Sequence, residues 1–101
     1  MSNQFQLTAI LHKIDVLRYT PAGIPVLDVL LQHESWQNEN GNECRVFFEL
    51  PARIIGQNAQ AWQHQQGKKV IVTGFLAQKS QKIIRPMLRI QDIQELSLIH
   101  I

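Results

Sequence analysis

Lys79, Lys82, Arg85 and Arg89 fall within eleven residues, and no acid lies among them. Arg18 and Tyr19 stand together just ahead of Pro21-Ala22-Gly23. Arg45 and Phe47 alternate with Cys44, Val46 and Phe48. Cations can track a chain of phosphates, and flat rings can stack on bases. These eight residues suit the capture of single-stranded nucleic acid. Each has an ordinary alternative. Surface loops carry Lys and Arg for solubility. An outward Phe can pack across strands or in a dimer interface. A loop Tyr can lie on its own strand end. Ile83 and Ile84, in the same loop as the cations, could touch bases or a protein partner. Trp36 sits at a hairpin end, where either role fits, and Trp62 is expected in the core or as an anchor between helix and barrel.

Catalytic and metal chemistry find little to rest on. Gly23, Gly41, Gly56, Gly67 and Gly74 stand singly, so no glycine run can cradle a phosphate. His12, His33, His64 and His100 are far apart, with no helical His pair around a glutamate. Asp15, Asp28 and Asp92 lack the spacing of paired carboxylates. Cys44, the one cysteine, lies in an alternating stretch and is expected to pack as a small hydrophobe. No enzyme, metal or cofactor is expected.

The 101 residues suit one domain, here 1–101. Hydrophobic residues at 45% can fill a core, and charged residues at 18% are too few for a disordered chain. A net charge of +2 excludes an acidic protein and permits a local basic patch. One cysteine cannot build a disulfide framework, so a reducing compartment is expected. No apolar run reaches the roughly 18–20 residues of a membrane span. Met1-Ser2-Asn3-Gln4 does not open a signal peptide. A cytoplasmic protein without a membrane partner is expected.

The elements that position these residues read mostly as strands. Residues 3–17 alternate, with Phe5, Leu7, Ala9 and Leu11 on one parity, then Ile10, Ile14 and Val16 on the other. A parity switch inside a strand predicts a bulge. A turn over 18–25 precedes a second strand over 26–36, with Leu27, Val29 and Leu31 on one face. Residues 37–42 form a hairpin tip around Asn40-Gly41. The third strand, 43–50, turns Cys44, Val46, Phe48 and Leu50 inward and Arg45, Phe47 and Glu49 outward, and Pro51 closes it. Residues 52–67 hold a short helix or helical turn ending at Gly67. The fourth strand, 68–78, contains Gly74, a residue suited to a barrel corner. A basic loop over 79–86 leads to a last strand over 87–98, with Leu88, Ile90, Ile93 and Leu96 in the core.

Five strands with a helical element between the third and fourth is the layout of an all-β OB-fold barrel. An SH3-like barrel fits the 52–67 segment less well. OB barrels bind on the face of strands two and three, flanked by the loops after strands one and four. All eight candidate residues fall on that side. The apolar residues Ile10, Ile14, Val26 and Leu30 exceed what one small barrel needs, which suggests a homodimer.

Thr20-Pro21-Ala22-Gly23-Ile24-Pro25, Gln32-His33-Glu34-Ser35 and Val70-Ile71-Val72-Thr73-Gly74-Phe75-Leu76 resemble the PriB family, primosomal replication protein N. The resemblance extends over nearly the whole chain. It implies a homodimeric OB-fold accessory of bacterial replication restart. Such a protein binds single-stranded DNA, binds and stimulates the PriA helicase, and helps recruit DnaT. Better-known members carry a tryptophan at Phe47 and an arginine at Glu34; Arg18 matches a cation, and the loop cations match loosely through Lys82 and Arg85. A smaller ring and a reversed charge imply weaker DNA binding, with helicase contact carrying more of the function. Two other readings stay open: a protein-interaction module with little nucleic-acid role, and a general single-strand-binding protein. The second is disfavoured because the chain ends at Leu98-Ile99-His100-Ile101, without a Gly/Pro/Gln-rich acidic tail.

Overall fold

A computed structural model describes residues 1–96. Its elements are β1 (Phe5–Ile14), β2 (Arg18–Tyr19), β3 (Pro25–Glu39), β4 (Asn42–Ile55), α1 (Gln57–Trp62), β5 (Lys69–Gln78) and β6 (Pro86–Glu95). The sheet order is β1-β5-β6-β4-β3-β2, and a further β1–β3 pairing closes it. Five strands therefore form a closed OB-fold barrel, with the two-residue β2 added outside β3.

Closure depends on β1 serving two neighbours. Residues 5–10 pair with β5, and residues 10–14 pair with β3. The register shifts between Leu11 and Lys13, so His12 is the extra residue. Before the shift odd residues point inward, and Ala9 and Leu11 are buried; after it Ile14 packs on the core. The parity switch in the sequence is this bulge. Leu11, Leu27, Leu31, Ile54, Val70, Val72 and Leu88 have almost no exposed surface. Burial of each such side chain stabilises by about 1.5–3 kcal/mol.

β3 and β4 are longer than the barrel. They pair from Val26–Ile55 out to Glu39–Asn42. Beyond Gln32, the last β3 residue paired to β1, the hairpin contacts only itself through strand pairing. It projects as an arm from a molecule measuring 51 × 40 × 23 Å. Asn40 and Gly41 form the tip with φ of 51° and 80°. Positive φ at both central residues is the primed turn that matches strand twist.

Several expected boundaries move. The tip is two residues, not 37–42, because the ladder continues to Glu39 and Asn42. Pro51 does not end its strand; β4 continues to Ile55 and puts Ala52 and Ile54 in the core. β4 meets β6 only at Ala52–Ile54. At Pro51 it is an edge, where a missing N–H is tolerated. The 18–25 turn contains β2, and β1 stops at Ile14, leaving Val16 exposed. Of the surplus apolar residues, Val26 is buried within the single chain. Residues 97–98 of the expected last strand lie outside the described residues.

α1 is only six residues and has no side-chain cap. So short a helix is marginal alone. Fully buried Ala59 and half-buried Trp62 hold it against the barrel, the anchoring role expected of Trp62.

Gly74 pairs with Phe5 on one side and Ile90 on the other. A Cβ there would fall well inside contact distance of the Arg89 carbonyl oxygen, a backbone atom that cannot step aside. Gly74→Ala is expected to cost about 3 kcal/mol of stability in urea denaturation. A loss under about 0.5 kcal/mol would show that the β5–β6 crossing is looser than described.

Candidate nucleic-acid interface

Strand alternation gives β3 and β4 a common outer face. Asp28 stands opposite Arg53, Leu30 opposite Pro51, Glu34 opposite Phe47 and Trp36 opposite Arg45. Phe47 is half exposed, and the guanidinium of Arg45 lies 5.2 Å from its ring centre. Arg45 also donates through Nε to the Glu34 carboxylate. Trp36 is 63% exposed on this same face, diagonal to Phe47. Its parity with Asp28 and Glu34 was the signal for that placement.

The loop after β5 is an ordered hairpin. The Lys79 N–H donates to the Arg85 carbonyl, and the Ser80 N–H donates to the Ile83 carbonyl, both at 3.2 Å. Lys82 is therefore carried at the turn, with Lys79 and Arg85 opposite each other below it. A groove of about 500 Å3 separates the loop from β3 and β4, with Lys79, Ile83 and Arg85 on one wall and Leu30, Glu49 and Pro51 on the other. Lys79 also lines an adjoining groove of about 270 Å3 with Lys13, Asp15 and Asp28.

Arg18 reaches from β2 to Asp28 at 3.1 Å. Tyr19 is exposed, and its hydroxyl accepts from Gln60 Nε2 at 3.3 Å, tying it to α1. Arg89 pairs in register with Arg53 and lies 5.9 Å from the centre of the Phe75 ring.

The eight expected residues thus form two groups, with Tyr19 standing apart. Arg18, Lys79, Lys82, Arg85 and Arg89 belong to the barrel body and its loop. Arg45 and Phe47 lie out on the arm, and Tyr19 stands at the α1 end. Arg53 was missed; its alternation with Ala52 and Ile54 marked it as outward, but the segment read as helical. The two groups differ in charge. Residues 33–48 carry Glu34, Glu39 and Glu43 against Arg45, a net −2 in a chain of net +2. The remainder is +4. Among the described residues, Glu39 and Glu43 join no ion pair. The arm tip therefore repels a polyanion while the body attracts one.

The chain resembles known proteins along nearly its full length. A family described as "Another single-strand binding protein family" matches residues 3–92. The Replication restart protein PriB of Neisseria meningitidis serogroup B is 58% identical over 94 residues, covering 93% of this chain and 94% of the relative. The chain belongs to the PriB family. The three-dimensional structure of PriB from Ralstonia solanacearum superposes with a TM-score of 0.83 at 29% identity, covering 94% of this chain and 98% of that one. A deletion mutant of the single-stranded DNA binding protein from Thermus aquaticus superposes at 0.77 and 26% identity, covering 96% of this chain and 51% of that one. In this PriB-family chain the described residues contain no cluster of three metal-ligating side chains.

Asp28 organises the body group. Arg53 donates to it through Nε at 2.7 Å and Nη2 at 3.4 Å, and Arg18 donates at 3.1 Å. Burial pushes the Asp28 carboxyl up, but the hydrogen bonds and charges of Arg53 and Arg18 outweigh it and hold the pKa below its ordinary value. With the folded pKa lowered, Asp28 stabilises fully above the unfolded carboxylate pKa of about 3.9. That contribution fades as pH falls through the folded value. Asp28→Asn is expected to lose about 1–2 kcal/mol at neutral pH and to unfold less steeply with acid. Denaturation curves from pH 7 down to about pH 3 check this; a variant with the wild-type acid profile would contradict it.

Proposed function

We propose that this protein is a non-catalytic accessory of replication restart that binds single-stranded DNA and stimulates the PriA helicase, with DnaT as a later partner. The observation that carries the reading is the cationic loop hairpin beside a barrel body that also bears Arg18 and Arg89, with Phe47 exposed on the adjoining arm. The eight residues Arg18, Tyr19, Arg45, Phe47, Lys79, Lys82, Arg85 and Arg89 are the proposed DNA contacts. The relatives' name, replication restart protein, supports the cellular role. The acidic arm and the Arg45–Glu34 pair reduce the attraction for phosphate, so affinity is modest and salt-sensitive.

A homodimer belongs to the same proposal. Residues 5–9 of β1 pair with β5 on one side only. Their other edge faces a gap of about 520 Å3 towards His33 and Ser35. An unpaired strand edge is a template for a second chain. A cytoplasmic site of action belongs to the same proposal. No helix in the described residues is long and apolar enough to cross a membrane.

The arm favours a second reading, an OB-fold protein-interaction module with little nucleic-acid role. Its carboxylates and exposed Trp36 suit a protein surface better than a phosphate chain. The triple change Lys79→Glu, Lys82→Glu, Arg85→Glu separates the two. The wild type is expected to bind an oligothymidylate with affinity falling as salt rises, by a slope of about −0.7 per phosphate contacted. The triple variant is expected to lose both that binding and most stimulation of PriA unwinding. Stimulation that survives intact without DNA binding would establish the interaction module instead.

A further inference from the structure

One row of side chains crosses the outside of the barrel from β2 to β5. It runs Arg18, Asp28, Arg53, Arg89, Phe75, each on a different strand. Arg53 is paired in register with both Asp28 and Arg89, and Arg89 with Phe75. Neighbouring strands lie about 4.8 Å apart, so the row from Asp28 to Phe75 spans about 15 Å. The row holds three guanidiniums and one carboxylate, in contrast to the acidic arm.

We infer that this row is a phosphate crossing, in which Arg53 and Arg89 carry a single strand over the barrel body from the loop side. The inference rests on the DNA-binding reading above and adds Arg53, Asp28 and Phe75 to its residues. Asp28 accepts from Arg53 and Arg18 together. A guanidinium has five N–H donors, so each keeps donors free after that contact. The carboxylate fixes both forks in place without exhausting them. Phe75 does the same for Arg89, whose guanidinium lies over its ring. Asp28 and Phe75 are therefore positioning residues, and the arginines touch the ligand. Arg53 has only 19% of its side chain exposed and is held through two nitrogens by Asp28, so little rotamer freedom remains for binding to remove.

The ligand chemistry follows from charge and spacing. Successive phosphates of an extended single strand lie about 6–7 Å apart, so the row suits two of them. Lys13 and Lys79 line the groove beside Asp28 together with Asp15, and Lys79 links the row to the cationic loop. The path then enters at the loop, crosses the body and leaves the acidic tip unvisited.

The test is anisotropy of a fluorescein-labelled oligothymidylate of about 20 nucleotides, titrated with the full chain at several salt concentrations between about 50 and 200 mM. Arg89→Gln lies outside the Asp28 network, and Arg53→Gln lies within it; Arg53→Lys keeps the charge. Each Gln variant is expected to weaken binding about fivefold to tenfold at low salt and to lower the salt slope by about 0.7, with Arg53→Lys recovering the slope. A structural role alone would shift thermal unfolding and leave that slope unchanged. Gln variants that keep wild-type affinity and slope, while the loop triple variant loses both, would overturn the crossing and leave the DNA-binding reading standing. A wild-type protein that ignores the oligonucleotide would overturn both.

Discussion

β1 has to satisfy two neighbours at once, and every other feature depends on that. Its first half pairs with β5 and its second with β3, and one surplus residue, His12, lets it turn between them. Without the bulge the buried parity would continue and Ile14 would point outwards. With it the barrel closes, and the outside becomes one continuous wall. Side chains from β2, β3, β4, β6 and β5 can then stand in one row although their strands are far apart in sequence. Gly74 makes the matching concession on the neighbouring strand β5, where the backbone at Arg89 comes too close for any side chain.

Electrostatics divides that wall into two territories. On the body, one partly buried carboxylate, Asp28, is outnumbered by the arginines around it. It orients cations and does not cancel them. On the arm the ratio is reversed: one arginine is absorbed by Glu34 and the Phe47 ring, while Glu39 and Glu43 remain unpaired among the described residues. The same alternation that exposes Trp36 and Phe47 also surrounds them with carboxylates. Aromatic surface is thus offered where phosphate is least welcome, and positive charge where rings are half covered. This separation is the physical ground for proposing a modest, salt-sensitive affinity for nucleic acid. It also leaves the arm available to a protein.

Strand existence and parity were legible in the sequence because apolar alternation records which side of a strand faces the core. The first-strand parity slip, the Asn40-Gly41 turn and the mid-strand Gly74 each named a local backbone event correctly. The boundaries near Pro51 were not legible. Proline ends a central strand but not an edge strand, and edge status depends on where β6 arrives, which is tertiary information. That one misplacement hid Arg53. The reach of Arg18 to Asp28 and the stacking of Arg89 on Phe75 were also invisible, since they join strands whose order around the barrel must be known first. The family resemblance through the Pro21-Ala22-Gly23-Ile24-Pro25 turn was carried by residues that shape the fold. It pointed to the fold and left the charge pattern of the outer wall undecided.

The central claim is that a single DNA strand lies on the outer wall of the body, held by the loop cations and the arginine row. Backbone amide shift mapping of the labelled protein, titrated with oligothymidylate, examines it residue by residue. The account predicts the largest changes at residues 79–85, at Arg18, and at Arg53 and Arg89, with only small ones at the arm tip around Glu39 and Glu43. Changes centred on that tip, or on the inward residues at the barrel mouth with the outer row silent, would contradict it.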